Sequence, residues 1–178
     1  MTKTEIPLTG YAHETSKVLG NCGCLLVSGT MDKVNAMTIG WGLIGMLWGK
    51  PVFMVAVRPS RHTFKLIEET EEFTVNVPRK GMEDIMEYCG TVSGKDENKI
   101  EKKGLVVEEG KMVNTPILPD CVVNYECKVI FKTKISEDQV SEDAKERWYP
   151  EGNFHTIYFG EILCTTADEN AATEMPLE

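Results

Sequence analysis

Two arginines and two hydroxyl side chains fall within the segment RPSRHTF, residues 58–64. Arg58 and Arg61 carry planar guanidinium groups, and Ser60 and Thr63 carry hydroxyl donors. Ser60 is also suited to cap a helix that begins here, with backbone N–H groups exposed at the helix N-terminus. This combination, in a chain of net charge −9, favours a phosphate-binding segment. The alternative is a solvated strand end followed by helix-surface residues.

A second polar segment with cations is YCGTVSGKDENKI, residues 88–100. Its glycine and serine residues predict a flexible loop, and Ser93 and Lys99 are of types that bind phosphate. Lys99 also belongs to a run with Lys102 and Lys103, and such runs are usually solvated surface. The spacing alone leaves both interpretations of Lys99 open.

The segment NAMTIGWG, residues 35–42, has the apolar content of a buried strand but carries two glycines. Alternation along a strand would place Asn35, Met37, Ile39 and Trp41 on one face. Glycine weakens strands and has no side chain to bury. Gly40 and Gly42 therefore indicate that another group approaches this backbone closely.

The elements that must position these residues are mostly strands. Apolar segments rich in β-branched and aromatic residues predict strands at residues 22–30, 35–42, 52–58, 73–78, 121–135 and 154–166, the fifth long enough to contain a bulge. Helical periodicity begins near Ser60 and recurs at residues 82–89 and 97–104. Because no regular β-α-β alternation is present, we expect a mainly antiparallel β fold, barrel or sandwich, with short peripheral helices.

The composition predicts one domain over residues 1–178, because a chain of this length with 42% hydrophobic residues can bury a sizeable core. The last dozen residues, ADENAATEMPLE, are expected to form a tail. The acidic net charge argues against a nucleic-acid partner. The apolar run 36–57 is long enough to span a membrane, but Gly-Lys-Pro at 49–51 interrupts it, which favours two buried strands around a loop.

The chain begins MTKTEIPLTG, without the charged-then-apolar pattern of a signal peptide. We therefore expect a cytoplasmic protein whose six cysteines are free thiols. No cysteine or histidine spacing indicates a metal site. No nucleophile–base motif indicates a catalytic side chain.

Five segments, taken in order and with their spacing, resemble the flavin reductase-like proteins, and among them the flavoredoxins. The segments are NAMTIGW, PVFMVAVRPSRHT, EFTVNVP, CGTVSGKDENK and FHTIYFGEI. The resemblance runs from about Asn21 to Cys164 and covers most of the chain. It implies an FMN-binding split barrel, a small closed antiparallel β-barrel that forms a homodimer with each flavin near the interface.

The resemblance also implies that the strand matching residues 35–41 lies along the flavin ring, while the Arg-Ser-Arg-His-Thr segment holds the phosphate. The aromatic and apolar members would supply flat surface for the ring, although ordinary core or interface packing explains them equally well. The predicted cofactor-binding residues are Asn35, Met37, Thr38, Trp41, Trp48, Arg58, Ser60, Arg61, Thr63, Asn76, Cys89, Ser93 and Lys99.

Some reductases of this family carry Gly-Asp-His before the last strand, and that histidine contacts the nicotinamide donor. Here the stretch reads EGNFHTI, so His155 is present without the aspartate. The resemblance implies a flavoprotein that passes electrons from NAD(P)H or a redox protein through FMN to an acceptor. The departure at His155 indicates an alternative, an electron carrier that does not itself oxidise NAD(P)H. A further alternative is a split-barrel binding protein without enzymatic activity.

Overall fold

The computed structural model describes residues 3–177, and residues 1, 2 and 178 of the predicted domain lie outside the described part. The strands are β1 (Lys3–Glu5), β2 (Cys24–Thr30), β3 (Lys33–Ile39), β4 (Gly42–Leu47), β5 (Lys50–Val57), β6 (Glu72–Val77), β7 (Val123–Lys134) and β8 (Thr156–Asp168). The helices are α1 (Ala12–Asn21), α2 (His62–Thr70), α3 (Glu83–Thr91), α4 (Lys99–Lys102), α5 (Glu142–Trp148) and α6 (Ala171–Glu174), with a 3₁₀ turn at Glu137–Gln139.

The strands form one sheet in the order β3-β2-β6-β7-β8-β5-β4, and β1 pairs with β8. Every one of these pairings is antiparallel, and the predicted bulging of β7 is present against β8. β3 and β4 are separated by Gly40 and Trp41 alone, yet they form the two ends of the sheet, so the sheet curls. The mainly antiparallel β architecture with short helices is confirmed. Within residues 3–177 no ladder joins β3 to β4, so the predicted closure of the barrel is not found.

Aromatic and β-branched side chains fill the interior of the curled sheet. Phe73, Val75 and Val77 alternate along β6 and are fully buried in the main core cluster. Phe53 and Tyr125 are also fully buried, and their rings meet edge to face with centroids 5.4 Å apart. Burying a side chain of this size contributes about 1.5–3 kcal/mol.

A smaller apolar cluster packs α3 against β2 and β3, and it includes Leu25, Ala36 and Met86. This packing places the segment from α3 to α4 beside the end of β3. The position of α3 therefore depends on the core, although the segment that follows it is polar.

The apolar run 36–57, predicted as two strands around a loop, contains parts of three strands. β4 and β5 form a hairpin whose turn, Trp48-Gly49, has φ of 53° and 75°. Positive φ at both turn positions is typical of a type I′ turn. β4 is an edge strand, and Leu43 and Met46 on it are 64% and 66% exposed, so its apolar content does not all enter the core. Within the described residues, no helix combines the length and the apolar content needed to cross a membrane.

The residues after β8 pack on the core, whereas the sequence predicted a tail. Ala171, in α6, and Met175, directly after it, are both buried in the main cluster. Arg79 pairs with Asp168 at 2.5 Å and with Glu174 at 3.4 Å. These contacts attach the end of the described chain to the end of β6.

Candidate functional site

Two adjoining cavities lie along β3 and at its C-terminal end. The tryptophan cavity, about 160 Å³ in volume, is lined by the ends of β3 and β5, by Trp41 and by His155. The lysine cavity, about 90 Å³ in volume, lies between β3, the start of α2 and the segment from α3 to α4, and includes Lys99. Residues of β3 and Arg61 line both cavities, so the two share a wall.

The start of α2 faces the lysine cavity without a side-chain cap. Arg61 is the N-cap residue, in an extended conformation, and within the described part of the chain no side chain caps the first N–H groups, although Phe64 N donates to the Arg61 carbonyl oxygen. Ser60, predicted to cap this helix, instead accepts a hydrogen bond from Asn153 Nδ2 at 2.8 Å. Uncapped N–H groups at a helix N-terminus carry partial positive charge and favour an anion.

Lys99 is a buried cation in the lysine cavity. It is 3% exposed, and its Nζ donates to the carbonyl oxygen of Cys89 at 3.0 Å. Among residues 3–177, no carboxylate lies within ion-pair distance of it. Burial is the main cause that lowers the pKa of Lys99, and nearby Arg61 lowers it further. A buried ammonium without a counter-charge is costly, and a bound anion would compensate it.

Asn35 and Gly94 shape the lysine cavity. The Asn35 Nδ2 donates to Thr63 Oγ1 at 2.8 Å, which ties β3 to α2. A Cβ on Gly94 would lie 2.1 Å from Asn35 Oδ1, so any side chain there would displace the asparagine. The backbone of the 93–94 segment therefore approaches β3 as closely as it does because residue 94 is glycine.

Aromatic side chains surround His155 in the tryptophan cavity. The Trp41 ring is tilted against the imidazole with centroids 4.8 Å apart, and Trp148 meets Trp41 edge to face at 5.1 Å. His155 is 8% exposed, and its Nδ1 lies 2.8 Å from the Tyr149 hydroxyl oxygen. Burial, followed by two nearby arginines, lowers the pKa of His155 to about 4. The imidazole is therefore neutral near pH 7.

Positions 40 and 42 of segment 35–42 are occupied by glycine for different structural reasons. A Cβ on Gly42 would lie 3.0 Å from the Met54 carbonyl oxygen and 3.1 Å from the Phe53 ring, so the packing of the protein itself leaves little room for a side chain there. A Cβ on Gly40 would meet the carbonyl oxygen of Leu19 at 3.4 Å, and Gly40 lines the tryptophan cavity. Gly40, rather than Gly42, leaves backbone open to a ligand.

Most residues predicted from the sequence line one or both cavities. They are Asn35, Met37, Thr38, Trp41, Arg58, Ser60, Arg61, Thr63, Cys89, Ser93, Lys99 and His155. Arg58, predicted near the phosphate, lines the tryptophan cavity instead. Its Nη2 donates to the carbonyl oxygen of Trp148 at 2.6 Å and its Nη1 to that of Asn153 at 3.1 Å. Its guanidinium thus holds the chain segment before β8.

The structure does not bring Trp48 or Asn76 to these cavities. Trp48 occupies the β4–β5 turn, is 68% exposed and packs on Phe131 with centroids 5.8 Å apart. Asn76 is fully buried, and its amide bonds both Leu25 and Asn124 on the strands beside β6. The amide nitrogen and oxygen of Asn76 are therefore both used in joining neighbouring strands.

Sequence analysis did not single out Trp148, Tyr149 and Asn153, which lie in the charged segment SEDAKERWYPEGN and contact the cavity residues Arg58, Ser60 and His155. Two adjacent aromatic residues within a charged segment, just before the last strand, were the available signal. They are buried in part by Trp41 and Arg58, which lie more than ninety positions earlier in the sequence. Only the folded chain brings these two regions together.

An antiparallel β fold with an aromatic cavity beside a cationic one defines a protein suited to a planar ligand that carries an anionic group. The chain belongs to the flavin reductase-like family, because the family model described as flavin reductase like domain matches residues 22–178. The family suspected from the five sequence segments is thereby confirmed.

Known proteins agree with this membership. An uncharacterized protein of Archaeoglobus fulgidus is 34% identical over 142 residues, covering 80% of this chain and 70% of the relative. The crystal structure of flavoredoxin from Methanosarcina acetivorans is 26% identical with a TM-score of 0.67, covering 83% of this chain and 68% of that one. An FMN-binding protein from Thermus thermophilus shares the fold at 18% identity, with a TM-score of 0.65 and coverage of 83% and 71%. That protein binds FMN, which is the cofactor predicted from the sequence for this chain.

Proposed function

We propose that this chain is an FMN-binding flavoprotein of the flavin reductase-like class that passes electrons from a reduced donor to an acceptor. The observation that carries the proposal is the buried Lys99, without an ion-pair partner in the described chain, beside the uncapped start of α2. The adjoining cavity is aromatic. FMN combines a planar ring with a terminal phosphate, which is the combination that these two cavities suit.

The lysine cavity has the groups that a phosphate requires. Lys99 and Arg61 supply positive charge, and Ser93 and Thr63 supply hydroxyl groups. The N–H groups at the start of α2 add donors that no side chain among residues 3–177 caps. These residues would hold the phosphate and fix the position of the cofactor along the site.

The tryptophan cavity has the groups that a ring system requires. Met37, Trp41 and Ala56 supply apolar surface, and Gly40 leaves its backbone accessible. When bound, FMN supplies the reversible uptake of electrons, either as a hydride or one at a time. The chain binds, orients and partly desolvates the ring. His155 is neutral near pH 7, and no side chain of the cavity is required as an acid or a base.

We propose NAD(P)H or a redox protein as the donor. A second candidate, an electron carrier that does not itself oxidise NAD(P)H, is favoured by the burial of His155. This histidine is 8% exposed, lies against Trp41 and is bonded to Tyr149 through Nδ1, so a nicotinamide could reach it only from the tryptophan cavity. Steady-state NADH oxidation with added FMN separates the two candidates, and robust turnover would exclude the carrier.

We also propose that the protein is cytoplasmic and that it forms a homodimer. Leu43, Met46 and Trp48 are large apolar side chains that are more than half exposed on β4 and its turn, and Phe131 lies against Trp48. A cluster of exposed apolar side chains is typical of a surface that binds another protein surface. All six cysteines are free thiols, which supports a reducing compartment.

The first test is a titration of the flavin-free protein with FMN and with riboflavin, followed by flavin fluorescence. We expect FMN to bind at least about tenfold more tightly, because only FMN presents a phosphate to Lys99 and α2. Equal binding of the two ligands would remove the phosphate site. Absence of binding by either would overturn the proposed function.

Gly94→Ala tests the shape of the lysine cavity. The new Cβ would displace Asn35, and we expect FMN affinity to fall by roughly tenfold or more, because the Asn35–Thr63 contact orders the phosphate end. Gly20→Ala is the matched control, since a Cβ there has nothing within 4 Å. The control should bind FMN as the unchanged protein does. Equal affinities for the two variants would contradict this description of the cavity.

A further inference from the structure

The chain segment before β8 is fastened to the segment before α2. Arg58 donates to the carbonyl oxygens of both Trp148 and Asn153, and its guanidinium lies 5.0 Å from the centre of the Tyr149 ring. Asn153 Nδ2 donates to Ser60 Oγ at 2.8 Å. These contacts hold Tyr149 in a fixed position against Arg58 and beside His155, two residues that line the tryptophan cavity.

Tyr149 reaches the imidazole of His155 from this position. The hydroxyl oxygen lies 2.8 Å from Nδ1, and both residues are 8% exposed. A neutral imidazole carries one proton, and the partner of one ring nitrogen decides which nitrogen holds it. The contact with Tyr149 therefore sets the tautomer of His155.

The direction of this hydrogen bond follows from the chemistry of the two groups. A phenol is a good donor and a weak acceptor, because its oxygen lone pair is delocalised into the ring, whereas an unprotonated imidazole nitrogen is a strong acceptor. The Arg58 guanidinium over the Tyr149 ring withdraws electron density and makes the hydroxyl a better donor. Burial raises the pKa of Tyr149, so the hydroxyl keeps its proton near pH 7.

The other edge of the imidazole is available to a ligand. His155 lines the tryptophan cavity, and among residues 3–177 its Nε2 has no hydrogen-bond partner. Burial, together with Arg58 and Arg61, disfavours the imidazolium and lowers the pKa of His155 to about 4. With Nδ1 accepting from Tyr149, the single proton of the neutral ring is on Nε2.

We propose that Tyr149 is a positioning residue that holds His155 in its Nε2–H tautomer, and that His155 thereby offers a neutral N–H donor to the tryptophan cavity. The ligand group that this donor suits is an acceptor such as a carbonyl oxygen or an unprotonated ring nitrogen. A cationic or donor-only group is disfavoured at the same point, because two arginines lie close by. The inference rests on the proposed function only in taking the ligand to be the flavin or its redox partner.

The test is a long-range ¹H–¹⁵N correlation spectrum of the histidine rings in the full-length, flavin-free protein at pH 7. The chain has three histidines, and His155→Gln identifies the signals of His155 by their loss. We expect one protonated and one unprotonated nitrogen, with the cross-peak pattern of the Nε2–H tautomer. An Nδ1–H pattern, or averaged shifts of a mixture, would overturn the proposal without any variant of Tyr149.

Tyr149→Phe tests the origin of the tautomer, because it removes the hydroxyl and keeps the ring beneath Arg58. We expect both His155 nitrogens to move towards the averaged shifts of a tautomer mixture. Tyr88→Phe is the matched control, since its hydroxyl bonds Glu97 and not the histidine, and it should leave the His155 signals unchanged. An unchanged His155 spectrum in Tyr149→Phe would overturn the role of Tyr149.

The FMN titration of the same samples keeps this inference separate from the proposed function. Tight FMN binding with the wrong tautomer overturns the role of Tyr149 and leaves the function standing. The Nε2–H tautomer without FMN binding leaves the role of Tyr149 standing and overturns the function.

Discussion

Lys99 and His155 are both buried at the site, yet their surroundings differ in the charge that they favour. Lys99 has a carbonyl oxygen as its partner and no carboxylate among the described residues, so an added anion would stabilise it. His155 lies near two arginines, so an added proton on its ring would be repelled. The site thus favours an anion at one end and a neutral imidazole at the other.

Lys99→Met tests the anion-binding role of the buried lysine. A charge-assisted hydrogen bond is worth about 1.5–3 kcal/mol, so we expect FMN affinity to fall by roughly ten- to a hundredfold while riboflavin affinity is unchanged. The free energy of unfolding of the flavin-free protein should stay the same or rise, because an uncompensated buried charge is removed. Lys102→Met, at an exposed position nearby, should change neither quantity.

The stability of the flavin-free protein should depend on pH through His155. The pKa of this histidine is about 4 in the folded protein, against 6.5 for the unperturbed group, so the unfolded chain binds a proton between these values that the folded protein does not. Its stabilising contribution is complete above pH 6.5 and is lost as the pH falls towards 4. We expect urea unfolding to show a loss of about 1–2 kcal/mol between pH 7 and pH 5 that His155→Gln lacks. Equal losses in both proteins would contradict the buried, neutral histidine.

On strand β6, Asn76 has the residue type of a binding site, but its hydrogen bonds serve the structure of the protein. The Asn76 Nδ2 donates to the carbonyl oxygen of Leu25 at 3.2 Å, and its Oδ1 accepts from Leu118 N at 3.0 Å and Asn124 Nδ2 at 2.7 Å. These bonds join β6 to β2, to β7 and to the segment before β7. The amide satisfies backbone groups that would otherwise be buried without a partner.

Asn76→Ala is expected to destabilise the protein by about 2–4 kcal/mol, because it leaves Leu118 N and Asn124 without their acceptor in a buried site. The ratio of FMN to riboflavin affinity should not change in the protein that remains folded. Urea unfolding and the two titrations measure these quantities. Asn114→Ala, at an exposed position, should cost less than about 1 kcal/mol. A selective loss of FMN binding in Asn76→Ala would restore the cofactor-binding interpretation.

The whole molecule leaves its apolar edge strand uncovered. β4 ends the sheet, and it carries Leu43 and Met46 with Trp48 at the following turn, all largely exposed. Edge strands of this kind are normally protected by charge, by proline or by another protein surface. The proposed homodimer would supply that protection. β4 begins at the residue directly after Trp41 of the tryptophan cavity, so the dimer interface would adjoin that cavity.

Trp48→Glu tests the proposed dimer. A carboxylate placed in an apolar interface would be desolvated without a partner, so we expect dissociation to monomers at micromolar concentration. Size-exclusion chromatography with light scattering gives the mass directly. Val106→Glu, which changes another apolar side chain that is about half exposed, should leave the mass unchanged. If the protein without any substitution is already a monomer, the proposed homodimer is wrong.

The sequence by itself determined six of the eight strands of the described chain, the cations and the family, but not β1 or β4. Alternation fixed which residues of β6 enter the core, and the spacing of RPSRHT and CGTVSGK indicated the phosphate end, because both signals lie within a few neighbouring residues. The FMN assignment followed from five such local segments in order. Most predicted site residues consequently line the two cavities.

Tertiary structure alone decided the rest, because partners across a sheet depend on register and not on local pattern. Apolar content did not reveal that β4 is an exposed edge, and an asparagine on β6 did not reveal whether its amide meets a ligand or the two neighbouring strands. The wall around His155 joins Arg58 to Tyr149 across more than ninety positions of sequence. Such contacts exist only after β5 and β8 have paired, and so no local segment of the sequence contains them.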